Sequence, residues 1–249
     1  MRYKLISCEV FHRELCACAA KSPHSVDLEF LPKGLHDFGG RKMLEPIQFA
    51  VNRSEGLGYD AILIGYGLCN NGLNGLVARS IPVVLPRAHD CITVFLGSRK
   101  RYAEYFEDHP GTYFKTTGWI ERSNLSGQQT QLSMETAIQA NLSYPALVAK
   151  YGEDNARYLL EQLCGPGHYR RLAFIEMGVE PNSSFEEQTR REAEERGWTF
   201  EKVAGDIGML QRLVNGVWSD EEFLVVQPGH KVVARYDDRV IVAEKNDHH

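Results

Sequence analysis

The chain has 249 residues, enough for one large α/β domain or two small ones, and either buries a full core. Apolar residues make up 43% and charged residues 24%, the balance of a soluble globular protein. A net charge of −5 offers no basic face, so neither nucleic acid nor an acidic membrane surface is expected as a partner.

No apolar run nears the ~20 residues that span a bilayer, and the N-terminus lacks the apolar segment and cleavage site of a secretory signal. The expected location is the cytoplasm. In that reducing compartment the six cysteines do not make a disulfide framework and stand for packing, metal ligation or catalysis.

In chain order, residues 3–11 read as a strand running into a turn. Residues 12–20, rich in Ala and Leu, read as a helix ended by Ser22-Pro23. Residues 26–31 alternate apolar and polar as a second strand, and 32–40 carry loop residues. Met43, Leu44, Ile47 and Val51 mark a helix over 41–54. The apolar run 60–64 predicts a strand, followed by a glycine-rich turn and a helix starting near Asn74. Residues 81–85 are wholly apolar, as in a buried parallel sheet. A helix is predicted over 88–108 and an aromatic strand over 111–120. Residues 121–165 turn polar and then helical. A strand at 172–177, a charged helix over 185–196 stopped by Gly197, a short strand at 199–203 and a helix over 207–213 follow. Strands at 223–230 and 232–242 close the chain.

Strands alternating with helices predict an α/β fold, a mainly parallel sheet with helices on both faces. The expected organisation is two Rossmann-like lobes, residues 1–120 carrying the site and 165–249 a smaller one. A helical bridge over 121–164 joins them. One continuous sheet fits almost as well.

Three short apolar runs end in or just before a cysteine, at Cys8, Cys69 and Cys91. Ligands of open α/β sheets sit beyond the carboxyl ends of strands, so the three are expected to converge on one rim. Thiolates select zinc, cuprous copper or iron–sulfur clusters. Three from separate strand ends suit an iron–sulfur cluster with one open iron, or a zinc whose fourth position is open. The competing reading is three unrelated buried cysteines, a common fate of the residue, and no Cys-x-x-Cys pair occurs in the chain. Cys16, Cys18 and Cys164 fall in helical patterns and are assigned to packing.

Around these cysteines, His12, Arg13, His36, His89 and Asp90 are the candidates for catalytic work. A cation beside a thiolate lowers its pKa and holds an anionic substrate, and a histidine serves a cysteine nucleophile as base. Taken singly, each such residue is more often part of a surface ion pair or solvated. The turn with Gly65, Gly67 and Gly72 is the candidate cofactor-binding loop, since a glycine loop between strand and helix presents amides to phosphate. Its spacing is not Gly-x-Gly-x-x-Gly and no Lys follows as in a P-loop. Close backbone approach around Cys69 is the better explanation of these glycines.

Five blocks carry a family resemblance: Cys8-Glu-Val-Phe-His-Arg-Glu-Leu, Leu31-Pro-Lys-Gly-Leu-His-Asp, Gly65-Tyr-Gly-Leu-Cys-Asn-Asn-Gly, Pro86-Arg-Ala-His-Asp-Cys and Gly111-Thr-Tyr-Phe-x3-Gly-Trp-Ile. Over residues 3–230 the chain resembles the domain of unknown function 1638, found in anaerobic bacteria and methanogenic archaea. Members are often encoded near corrinoid-dependent methyltransferases, which implies a role in one-carbon metabolism and a corrinoid protein as partner. The family's cysteine and histidine positions match Cys8, Cys69, Cys91, His36 and His89.

The function expected is that of a metal-dependent protein acting on a small-molecule substrate, as a transferase or lyase, or as a partner in methyl transfer. The alternatives are a non-catalytic accessory protein binding a corrinoid protein or cofactor, and a nucleotide-binding protein using the 65–75 turn.

Overall fold

The computed structural model describes residues 1–35, 40–69, 71–125 and 169–246. His36, Cys164 and all but the first five residues of the expected helical bridge lie outside them. The first sheet is built from β1 (Arg2–Cys8), β2 (Ser25–Leu31), β3 (Ala61–Gly65), β4 (Val83–Pro86) and β8 (Phe223–Val226). Their order is β2-β1-β3-β4-β8, with the first four parallel and β8 antiparallel to β4. The α/β class and the mainly parallel sheet are therefore as the sequence predicts.

β3 and β4 are buried at every residue. Successive side chains of a strand point to opposite faces, so both faces of the sheet are covered. The chain moves from β1 to β2 through α1 (His12–Lys21), then back across β1 to β3 through α2 (Gly40–Arg53). Right-handed crossovers in opposite directions place these helices on opposite faces. Leu15 of α1 lies over Ser7 and Gly65, while Arg53 of α2 pairs with Glu29, which also holds Lys4 at 2.9 Å. Tyr3, Leu5 and Ser7 thus face α1, and Lys4, Ile6 and Cys8 face α2.

The second sheet joins β5 (Thr112–Thr116), β6 (Arg171–Glu176) and β7 (Thr199–Ala204), all parallel. β9 (His230–Ala234) and β10 (Ile241–Lys245) form an antiparallel pair. Sheet membership does not follow residues 120 and 165. β5 belongs with the later strands, and β8 returns to complete the first sheet. Among the described residues, no helix is long and apolar enough to cross a membrane.

Four local expectations change, each for a visible reason. The stretch near Asn74 is not a helix. It lies along β9, with the Gly75 N–H on the Val232 carbonyl at 2.7 Å and the Ala78 N–H on the His230 carbonyl at 2.9 Å. Residues 88–108 break into α3 (Cys91–Phe95) and α4 (Arg99–Asp108) at Gly97, where φ is 79°. The aromatic strand stops at Thr116, whose hydroxyl accepts from the Trp119 N–H at 3.2 Å and opens α5 (Thr117–Leu125) as a helix cap does. The predicted strand 232–242 is two strands folded back as the β9–β10 pair.

Arg87, at the end of β4, ties this hairpin to the first sheet. Its Nε donates to the Asp220 carbonyl at 2.7 Å, its Nη2 to the Asp220 carboxylate at 2.8 Å, and its Nη1 to the carbonyls of Arg239 and Ile241. Its side chain is 7% exposed. Replacing it leaves buried carbonyls without donors, so Arg87→Ala is expected to lose about 2–4 kcal/mol in urea denaturation. A loss below about 0.5 kcal/mol, the level of an ordinary surface change, would refute the anchoring role.

Candidate functional site

Strand order in the first sheet reverses between β1 and β3. In open α/β sheets ligands bind beyond the carboxyl ends of the strands at such a reversal. Cys8 closes β1, Cys69 follows the end of β3, and Cys91 begins α3 just past β4. The three predicted cysteines therefore stand at the ends of three neighbouring parallel strands.

Local backbone geometry brings the last two closer. The segment after β3 runs beside the segment after β4, with the Leu68 N–H on the Ala88 carbonyl at 2.8 Å and the Cys69 N–H on the His89 carbonyl at 2.9 Å. A Cβ at Gly67 would lie 2.6 Å from the Asp90 backbone, a distance that only glycine allows. Gly65 is pressed against the Ser7 side chain and Gly72 against Met43. The Gly72 N–H donates to the carbonyls of Leu68 and Cys69, at 2.8 and 3.0 Å. The amides of Leu68, Cys69 and Gly72 are thus bonded within the fold, an arrangement for close packing rather than a phosphate cradle. Cys69 itself has φ of 42°, and Asn71 has φ of 61°. Asparagine enters this left-handed region readily. A cysteine there costs about 1–2 kcal/mol, and strain of this kind gathers at functional sites.

Cys8 is 6% exposed, and Cys69 and Cys91 are half-buried. Burial, then the charges of Asp90 and Cys8, pushes the Cys69 thiol up, although the amides of Cys91 and Gly67 favour its thiolate. Burial, then Cys69, Asp90 and Cys8, does the same to Cys91. Each of these thiols feels the others. Three soft sulfurs are the donor set that zinc or iron takes. As they stand, no three Cys, His, Asp or Glu side chains among the described residues are gathered closely enough to hold one ion.

The other predicted residues divide. His89 is exposed at the same rim. Asp90 caps α3, accepting from the Thr93 N–H at 2.9 Å and its hydroxyl at 3.0 Å. His12 and Arg13 begin α1, on the other side of the sheet from Cys8. The His12 ring rests on Phe30 at 4.8 Å, and Arg13 donates twice to Glu121, at 3.0 and 2.8 Å. With Cys16, Arg122 and Val179 they line an open cleft of about 320 Å³. There, burial and then the charge of Arg122 lower the His12 pKa. The rim therefore carries Cys8, Cys69, Cys91, His89 and Asp90, and the cleft carries His12 and Arg13. Arg13, expected beside the thiols, is engaged by Glu121, and Arg87 by Asp220 and the C-terminal hairpin.

Two residues went unread. Tyr66, next after β3, is 2% exposed, and its hydroxyl has no hydrogen-bond partner among the described residues. Glu14 of α1 is fully buried, neither carboxyl oxygen has a side-chain partner among the described residues, and burial raises its pKa to about 7. For Glu14 the signal was present, since it falls on the stripe of Phe11, Leu15 and Cys18.

Residues 30–214 match the model of a family described as a protein of unknown function (DUF1638). Comparison with curated proteins and with solved structures gave no match. The matched stretch includes Cys69 and Cys91 and begins after Cys8.

Glu14 gives a pH dependence with a definite sign. Its folded pKa of about 7 lies above the ordinary 4.5, so between these values the folded chain holds the extra proton. Stability therefore falls as pH rises through that window, by about 3 kcal/mol in full. Urea denaturation at stepped pH should show this component in the wild type and not in Glu14→Gln. An identical pH slope in both proteins would refute it.

Proposed function

The chain belongs to the DUF1638 family, and from the geometry of its strand ends we propose that it is a metal protein whose ligands are Cys8, Cys69 and Cys91. They would hold an iron–sulfur cluster with one open iron, or a zinc ion with an open fourth position. One observation carries this reading: the three thiols sit at the carboxyl ends of three adjacent parallel strands, across the reversal of strand order. When bound, such a group supplies Lewis acidity toward a small molecule on its open position.

The chain's own residues hold the ligands in place. The Gly67–Asp90 approach keeps Cys69 beside Cys91, and the amides of Cys91 and Gly67 aim at the Cys69 sulfur. Asp90 fixes the start of α3 and so the position of Cys91. To hold an ion, the three thiols would have to draw together and lose their protons. The setting we assign is corrinoid-linked methyl or one-carbon metabolism in the cytoplasm, with a transferase or lyase reaction on a small-molecule substrate and a corrinoid protein as partner. That setting rests on the family resemblance. We read the two parallel sheets as two Rossmann-like lobes, the first carrying the site.

Purification without oxygen, followed by metal and sulfide analysis, tests the reading. Cys8→Ser, Cys69→Ser and Cys91→Ser should each lose most of the bound metal, while Cys16→Ser, in the separate cleft, should keep it. Iron with acid-labile sulfide identifies a cluster, and zinc without sulfide the single-ion site. Equal retention in all four variants, or no metal in the wild type, would end the proposal.

A further inference from the structure

We propose that the cleft between α1 and α5 binds a small organic monocarboxylate, held by the Arg122 guanidinium with its apolar part against Ala17 and Val179. The site is separate from the cysteine rim, and the inference does not depend on the metal reading.

Helix period and strand order assemble the cleft. His12, Arg13, Cys16 and Ala17 recur at a spacing of four on α1 and so share one face. Glu121 and Arg122 belong to α5, which follows β5, and Val179 comes just past β6. β5 and β6 are parallel neighbours. This wall therefore stands beyond the carboxyl ends of adjacent strands, where open α/β sheets take their ligands. Arg13 reaches from one wall to the other, donating to both Glu121 oxygens at 3.0 and 2.8 Å. The space beside that pair is about 320 Å³, at the low end of pockets that hold small molecules.

Charge and lining select the ligand class. Glu121 is the acid among the lining residues, and Arg13 takes up its charge. The Arg122 guanidinium thus has no lining acid left to it, and its buried Nε has no hydrogen-bond partner among the described residues. His12 adds no charge at neutral pH, because burial and then Arg122 lower its pKa. One positive charge is left over in the cleft, which suits a ligand with a single negative charge. Folded proteins leave few buried polar atoms unpaired, and a planar guanidinium matches a planar carboxylate. Ala17 and Val179 offer the rest of the ligand an apolar surface, not the further donors that a phosphate would use.

Alkylation of Cys16 reads occupancy, since this exposed thiol lines the cleft. On the full chain, iodoacetamide labelling of Cys16, followed by mass spectrometry, should slow and level off as butyrate is added. Labelling of Cys69 and Cys91 should keep its rate. Butyramide, the uncharged counterpart, should protect at least about tenfold more weakly, the worth of a hydrogen bond to a charged group. Arg122→Gln should weaken protection by butyrate to a similar degree, and Arg122→Lys should restore most of it. No protection by butyrate in the wild type would overturn the site. Equal protection by butyramide would overturn recognition through charge, and stronger protection by inorganic phosphate would overturn the carboxylate class. Equal protection in the wild type and Arg122→Gln would overturn the role of Arg122. If Arg122→Gln does not fold, butyrate against butyramide and phosphate on the wild type still decides the proposal.

Discussion

The backbone at Gly67 passes so close to the backbone of Asp90 that one added methyl group would lie 2.6 Å from it. That approach sets the loops after β3 and β4 side by side, with two amide–carbonyl bonds between them. Cys69 then turns through a left-handed φ of 42°, and the amides of Cys91 and Gly67 meet its sulfur. Cys8 needs no such device, because β1 already neighbours β3. The rim is thus a consequence of strand order for one thiol and of a glycine contact for the other two.

The two faces of the sheet carry different unsatisfied groups. Just past β3, Tyr66 keeps a buried hydroxyl without a partner among the described residues. In α1, Glu14 keeps a buried carboxyl without a side-chain partner among the described residues, and burial makes it neutral over much of the acid range. The first is a neutral hydroxyl just past the end of β3. The second lies among apolar side chains, Leu15 and Cys18 of its own helix included, and acts on stability through its proton.

Much of the fold was legible in residue pattern. The wholly apolar runs at β3 and β4 predicted central parallel strands, and Gly197 marked the end of its helix with φ of 67°. The cysteines were legible as strand-end residues, but their placement on neighbouring strands depends on strand order, a long-range property that no local pattern carries. The stretch at Asn74 was misread because pairing with β9, more than 150 residues away, overrides its helical look. His12 and Arg13 sit near Cys8 in sequence but serve another face, since the turn after β1 carries them over to α1. Tyr66 went unread because an aromatic residue at a strand end looks like packing until its hydroxyl is found unpaired.

X-ray absorption at the metal edge, on the anaerobically purified or zinc-loaded chain, examines the shared site directly. Three protein sulfur neighbours are expected, at about 2.3 Å for zinc, with the count falling by one in Cys69→Ser. For a cluster, the same loss should appear as one iron without a cysteine sulfur. A shell of nitrogen and oxygen alone, or a sulfur count unchanged in that variant, would contradict a site made by Cys8, Cys69 and Cys91.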